Sequence, residues 1–347
     1  MSDATSGGGL PHDELQLDEL LSRPTRRVID TLARLPGGVI VLGVSGKMGK
    51  SLARMVRRAG EMSGAPRRVI GVARFAEGGE DRLQKHGIET VRCDLLDEKQ
   101  VRGLPDAENV IFMAGRKFGS TGDEPTTWAM NAWLPAIVCR RYRQSRMVVF
   151  STGNVYGLVP ADGGGSRETH APQPVGEYAM SCLARERLFG YFSDQCAIPI
   201  ATVRLNYACD LRYGVLVDLA HQILRGEPVD LGMGYFNTIW QRDANAQALM
   251  ALAHAATPPW TVNVTGTERL SVKQVSERLA ELLDAPVRFV GEEAPTALLS
   301  DSSLAVEQFG APSMPAEQLI DWVAHWIRRG GRTLGKPTHF ESRTGKY

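Results

Sequence analysis

Val39-Ile40-Val41-Leu42 is an unbroken apolar run between Gly37-Gly38 and Gly43, the pattern of a strand covered on both faces. Gly43-Val44-Ser45-Gly46-Lys47-Met48-Gly49 follows, with glycine at every third position, and Met48, Leu52, Met55 and Val56 then fall at helical spacing. Strand, tight turn and helix in that order describe the opening unit of a parallel α/β sheet. Glycine permits both the turn and the close approach of a pyrophosphate, whose charge sits against the free N–H groups and positive dipole end of the helix. Gly43, Ser45, Gly46, Lys47, Met48 and Gly49 are therefore expected to cradle a dinucleotide. The spacing alone would serve a plain strand-to-helix turn; the flanking elements favour the cradle.

The alternation continues. Strand-like runs at 69–73, 110–114, 147–151 and 200–204, with a weaker one at 88–93, are separated by helical patterns, strongest at 124–143 and 174–193. This predicts an α/β fold: a doubly wound, Rossmann-like parallel sheet with a smaller C-terminal substrate lobe. The expected divisions are an N-terminal extension with short helices at 1–37, the dinucleotide-binding domain at 38–205, a mainly substrate-binding lobe at 206–330 and a polar tail at 331–347. In the extension, residues 1 to about 10 are Gly/Ser-rich and expected to be mobile. Val28, Ile29, Leu32 and Leu35 form one apolar stripe there, with Ser22 or Thr25 as its cap. A further strand, Thr261–Val264, is expected within the lobe.

Forty basic and thirty-nine acidic residues leave a net charge of +1, so no overall field draws the chain to nucleic acid or an anionic membrane. No apolar stretch approaches the ~18 residues of a bilayer span. No export signal is read at the start, and five cysteines without a C-x-x-C pair suit reduced thiols and a cytoplasmic location. Seven histidines without H-x-H or H-E-x-x-H give no reason to expect a metal.

The end of the second strand selects the dinucleotide. Val69-Ile70-Gly71-Val72-Ala73 leads to Arg74, where an acidic residue would bind the adenosine ribose. A guanidinium suits a 2′-phosphate, so NADP is expected, with NAD the alternative if Glu80 or Asp81 discriminates. Asp94 and Leu95, after the third strand, are expected to face the adenine, although an ordinary helix-capping aspartate reads the same way.

Val148-Val149-Phe150-Ser151-Thr152-Gly153-Asn154-Val155-Tyr156-Gly157 is another buried strand that ends in hydroxyls and glycine, where a parallel sheet places its ligand. The next helix carries Tyr178 in Glu177-Tyr178-Ala179-Met180-Ser181-Cys182. With the glycine loop, these segments make residues 38–330 resemble the extended short-chain dehydrogenase/reductase family, which includes NAD(P)-dependent epimerases and dehydratases. Val110-Ile111-Phe112-Met113-Ala114-Gly115 is similar to the family's fourth strand, and Trp240-Gln241-Arg242-Asp243-Ala244 to the segment leading into a late helix. Val262-Asn263-Val264 with Leu270-Ser271-Val272 is similar to another of its C-terminal patterns.

The resemblance implies that Thr152 polarises the substrate oxygen and Tyr178 exchanges its proton. It places Ala114 and Gly115 against the cofactor, and Asn154, Asn206 and Gln241 against a sugar-like substrate. It also implies a lysine four residues after the tyrosine, but position 182 is cysteine. A cation about 4 Å from the phenol contributes roughly 4 kcal/mol at an effective dielectric of about 20, or about 3 pKa units. Without it the phenol is ionised about one time in a thousand at pH 7. Three outcomes remain: another cation, for which Lys117 in Ala114-Gly115-Arg116-Lys117 is the candidate; chemistry that needs only the protonated phenol; or a dinucleotide-binding regulator without turnover. Cys182 itself, beside Met180 and Leu183, reads as a packing residue rather than a nucleophile.

Asn237 stands where several nucleotide-sugar enzymes of the family hold a diphosphate with arginine, which weakens that substrate class; Arg204 and Arg212 keep it open. In the tail, His339 and Phe340 offer an anchor with which the segment folds back over the lobe or reaches a second subunit of a homodimer, disorder being the alternative. The chain thus reads as an NAD(P)-dependent oxidoreductase, epimerase or dehydratase acting on a hydroxyl or carbonyl, with the non-catalytic regulator as its rival.

Overall fold

Seven short strands form one parallel sheet: β1 (Val39–Leu42), β2 (Val69–Ala73), β3 (Glu89–Arg92), β4 (Asn109–Phe112), β5 (Arg146–Thr152), β6 (Ile200–Leu205) and β7 (Trp260–Val264). Their order across the sheet is β7-β6-β5-β4-β1-β2-β3. The structure is a computed structural model and describes residues 9–346 except Glu77, Phe118 and Ser120. Residues 1–8, most of the Gly/Ser-rich start, lie outside it. Val39 pairs with Val69 on one side and Asn109 on the other, so the chain reverses direction across the sheet at β1. A crevice opens at such a switch point, beyond the carboxyl ends of the strands.

Successive strand residues point to opposite faces, which gives the sheet two cores. Val39, Val41, Ile111 and Val148 meet Val28 and Leu32 of α2 (Arg26–Arg34), Leu52, Met55 and Val56 of α3 (Gly49–Met62) and Leu249 of α7 (Gln241–Ala251). Ile40, Leu42, Val110, Phe112 and Val149 meet Ile137 and Val138 of α4 (Leu134–Arg141) and Phe189 of α5 (Gly176–Cys196), Phe112 and Phe189 packing edge to face at 5.0 Å. Each such fully buried side chain contributes roughly 1.5–3 kcal/mol.

The N-terminal extension is α1 (Glu14–Leu21) followed by α2, and Thr25 rather than Ser22 caps α2, accepting the Val28 N–H at 3.2 Å. Ser22 instead donates to the Asp18 carbonyl. The lobe has its own core from α6 (Val215–Leu224), α8 (Val272–Leu283) and α9 (Ala316–Arg328), with Leu219, Val275, Leu279 and Val323 inside. The strand expected within that lobe is β7, the sheet's edge, pairing Trp260 with Ala201. Its Val262 and Val264 are buried on one face, in the core beneath α7, and their partners Val203 and Leu205 lie far earlier in the chain.

After α9 the tail turns back over the lobe of its own chain. Leu334 N–H donates to the Arg212 carbonyl (2.9 Å), Thr338 N–H and Oγ1 donate to Asp218 (2.7 and 2.6 Å), and Phe340 is buried against Phe236.

Candidate active site

One cleft of about 1270 Å³ runs from Arg74 through the glycine loop to Thr152, Tyr178 and the tail. Its floor follows from the loop's backbone. Gly43 has φ +94°, and a Cβ there would lie 2.8 Å from the Ala114 nitrogen; a Cβ on Gly49 would lie 2.5 Å from the Val44 carbonyl oxygen. These two glycines let strand, loop and helix pack. Gly46 differs: a Cβ there meets only the Gly43 oxygen, at 3.3 Å, so its free side faces the cleft. Met48, just before α3, gives the helix no side-chain cap, so its first-turn N–H groups lie at the open end of the loop. Ser45, Lys47, Met48 and Gly49 line the same wall. This cradle fits the pyrophosphate of a dinucleotide by space and by dipole.

Arg74, exposed just after β2, lines the cleft, as do Lys50, Arg54 and Arg82. Glu80 is paired with Arg92, and neither Glu80 nor Asp81 lines the cleft. Asp94 and Leu95 do not line it either; the Asp94 carboxylate accepts the Leu96 N–H at 3.0 Å, a local turn cap. Gly115 lines the cleft, while Ala114 is buried behind it.

At the other end, β5 and α5 bring the hydroxyls together. The Tyr178 phenol is hydrogen-bonded with Thr152 and with the thiol of Cys182, and Thr152 Oγ1 donates to Asn154 Oδ1 at 2.9 Å. Burial pushes the phenol well above its ordinary range; Arg185 and the Thr152 hydrogen bond pull it down only in part. Cys182 is fully buried with Val155 and Tyr156, and burial raises its thiol as well, so it remains a neutral packing group beside the phenol.

Lys117 reaches this corner. Its Nζ lies 5.8 Å from the Tyr178 ring centre and donates to the Thr338 carbonyl at 3.0 Å. Burial lowers it to about 8, against the raising influence of Cys182, Asp218 and Glu341. A second cation was not singled out from the sequence. Arg185, two helical turns beyond Tyr178 on the same face of α5, is buried and donates to the Phe150 carbonyl (2.8 Å) and to Asn131 Oδ1. Its guanidinium occupies the space under Gly115, where a Cβ would come within 2.3 Å of it. The i to i+7 spacing from Tyr178 was the available signal.

Asn131 ties these parts together. It lies in a π-helical turn, Ala129–Trp133, accepts the Arg116 N–H (2.9 Å) and donates to the Arg116 carbonyl (2.9 Å) and Ser181 Oγ (2.9 Å). The loop carrying Lys117 is thereby fastened to the helix carrying Tyr178. Such turns open one extra residue in a helix and recur at functional sites.

Of the amides expected to contact substrate, Asn154 and Asn206 line the cleft, with Asn206 donating to Asn237 at 2.9 Å. Gln241 is also in the wall, but it is buried and donates to Ser51 Oγ (3.1 Å), bracing the helix behind the glycine loop. Arg204 is buried in a pair with Glu186 (2.7 Å) and does not line the cleft; Arg212 lines it while paired with Asp210 (3.0 Å) and Asp18 (2.9 Å). Asn237 is occupied by Asn206 and the Ser300 carbonyl. Among the described residues no group of three or more His, Cys, Asp or Glu is placed to hold a metal ion, and no helix is long and apolar enough to cross a membrane.

The sheet order, the glycine cradle and the joined Thr152 and Tyr178 hydroxyls define a Rossmann-type protein of the short-chain dehydrogenase/reductase kind. The chain belongs to the NAD dependent epimerase/dehydratase family, whose profile matches residues 39–232. Among solved structures it is similar to a variant of UDP-glucuronic acid 4-epimerase from Bacillus cereus, with a TM-score of 0.72 and 17% identity over 84% of this chain and 99% of that one. UDP-glucose 4-epimerase from Thermotoga maritima aligns with a TM-score of 0.69 at 17% identity, again over 84% of this chain and 99% of that one. At such identities the likeness is one of fold. A curated relative, 2-alkyl-3-oxoalkanoate reductase of Shewanella oneidensis, is 26% identical over 164 residues, which are 46% of this chain and 40% of the reductase. The chain thus spans less than half of that relative's length.

Proposed function

We propose that the chain is an NAD(P)-dependent oxidoreductase or epimerase that acts on a hydroxyl or carbonyl of a polar, sugar-like substrate. The observation that carries this reading is the Tyr178 phenol joined to Thr152 at the end of a cleft that begins at the glycine cradle. A nicotinamide nucleotide held there supplies the donor or acceptor of hydride. Gly46 and the first turn of α3 hold its phosphates, and Gly115 borders it. Arg74, which lines the cleft as Lys50 does, favours the 2′-phosphate of NADP over NAD. Thr152 orients the substrate oxygen, and Tyr178 moves the proton at that oxygen. Because burial keeps the phenol protonated, its ground-state role is that of a proton donor, which suits reduction of a carbonyl. Sugar-nucleotide epimerases share this fold, and the curated relative is named for reducing an oxo acid. Reduced-nicotinamide absorbance, followed with a panel of sugars, sugar acids and oxo acids, tests the reading. Turnover with a member of the panel is expected; nucleotide binding with no turnover on any class would instead favour the regulator.

In this reading Arg185 is the charge that draws the phenol down, and Lys117, 5.8 Å from the ring centre, is the titrating cation of the same corner. Lys117 is charged below about 8 and loses its charge as pH rises through that value. Activity is therefore expected to fall on the alkaline side near pH 8. Lys117→Met should lower turnover about tenfold at neutral pH and remove that limb. A pH profile identical to that of the unaltered chain would eliminate Lys117 from the chemistry.

A further inference from the structure

The docked tail is pinned along its length. Leu334 N–H donates to the Arg212 carbonyl (2.9 Å), and the Arg343 guanidinium donates to the Thr296 carbonyl (2.7 Å) and hydroxyl (2.6 Å). Gly345 lies against the Val175 carbonyl, where a Cβ would come within 2.1 Å of the oxygen. Val175 immediately precedes α5, so the tail starts on the lobe and finishes at the helix that carries Tyr178. Between these ends Thr338 is buried, and its N–H (2.7 Å) and hydroxyl (2.6 Å) both donate to Asp218 Oδ2 on α6. The Thr338 carbonyl accepts from Lys117 Nζ at 3.0 Å, a contact between residues 221 apart in the chain. Contacts thus run from Asp218 through Thr338 to Lys117, whose Nζ stands 5.8 Å from the centre of the Tyr178 ring.

An ammonium withdrawn from water keeps its charge only where acceptors and carboxylates take the water's place. Around Lys117 these come largely from the tail and its anchor. The Thr338 carbonyl is the acceptor, and Glu341 of the tail and Asp218 of α6 raise Lys117 against its burial. The other groups facing it are Tyr178 and Cys182 of α5, the Tyr207 ring at 6.0 Å, and Lys47 of the glycine loop, which Lys117 itself lowers. Arg185 acts on Tyr178 and Cys182 in the same corner, and His339 lies 3.6 Å from Glu341. We propose that Thr338 and Asp218 are positioning residues of the active site, through which the docked tail holds Lys117 as an ammonium at the Tyr178 corner. This rests on the reading of Lys117 as the titrating cation of a nicotinamide-dependent site. Cys182 and the tail are then two halves of one arrangement: α5 carries no lysine at that position, and a distant segment fixes a cation from another loop.

The test compares full-length Thr338→Val, Thr338→Ser and Asp218→Asn with the parent. Valine keeps the volume, N–H and carbonyl of Thr338 and deletes only the hydroxyl; serine keeps the hydroxyl. A less firmly held carbonyl stabilises the ammonium less, so Lys117 loses its proton at lower pH. The alkaline limb of turnover, near pH 8 in the parent, should move down by about half a unit in Thr338→Val and about one unit in Asp218→Asn, which also removes a charge. Thr338→Ser should keep the parental limb. Limbs that stay in place in both Thr338→Val and Asp218→Asn overturn the proposal even if turnover drops, because lost packing alone lowers activity without moving a titration. Competitive acetylation of the nucleotide-free chain with acetic anhydride, with Lys117 quantified by mass spectrometry across the same pH range, reads the titration without turnover. Its midpoint should fall by the same amounts, and an unmoved midpoint overturns the proposal. A midpoint that moves while the limb does not overturns it too, by assigning the limb to another group. Should no nicotinamide nucleotide support turnover, the functional reading fails, and the labelling alone then decides whether the tail holds the Lys117 charge.

Discussion

Tyr178→Phe is expected to lower turnover about 1000-fold while leaving nicotinamide nucleotide affinity unchanged, because it deletes one oxygen and retains the ring that packs beside Val155, Tyr156 and Cys182. The size follows from the role. A positioned proton donor contributes roughly 10²–10⁴ in rate, and the hydroxyl joined to this one, Thr152 Oγ1, already gives its proton to Asn154 Oδ1. Single-turnover rates measured beside a fluorescence titration of the nucleotide separate chemistry from binding. A loss smaller than about tenfold would show that proton transfer at the substrate oxygen does not pass through Tyr178.

Gly46→Val should do the opposite, weakening nucleotide affinity about 100-fold, or roughly 2.7 kcal/mol, while leaving thermal stability close to that of the parent. The three loop glycines differ in what surrounds them. At Gly43 and Gly49 an added carbon meets backbone at 2.8 and 2.5 Å, so substitution there would disturb the fold itself. At Gly46 the backbone is not in the left-handed region and the nearest atom stands at 3.3 Å, so a side chain extends into the cleft and fills the space a pyrophosphate needs. Unaltered nucleotide affinity in a folded Gly46→Val chain would remove the cradle, and every proposal built on a bound cofactor would go with it.

The parts readable from sequence were those whose geometry is local. Val39–Leu42, the glycine spacing and the Leu52, Met55, Val56 stripe lie within eighteen residues, and each constrains its neighbour's backbone. Thr152 and Tyr178 were legible by type and by position after a buried strand. Lys117 is legible as a candidate because its loop follows β4, and the structure brings it to the Tyr178 corner. Gln241 shows the limit: it is in the cleft wall, but its amide serves Ser51. Asp94 shows another: β3 is the sheet's edge, so the carboxylate beyond it turns into a local cap.

Sequence alone therefore determined the α/β rhythm, the glycine turn after β1 and the hydroxyl pair, because short-range periodicity dictates which face a residue occupies on its own element. Tertiary structure decided which elements come alongside one another. It put β7 on the main sheet, Arg185 beneath Gly115, Asn131 between the Lys117 loop and α5, and Lys336 in the cleft by way of the docked tail. Each of these rests on contacts between segments far apart in the chain, and local spacing carries no information about such distances.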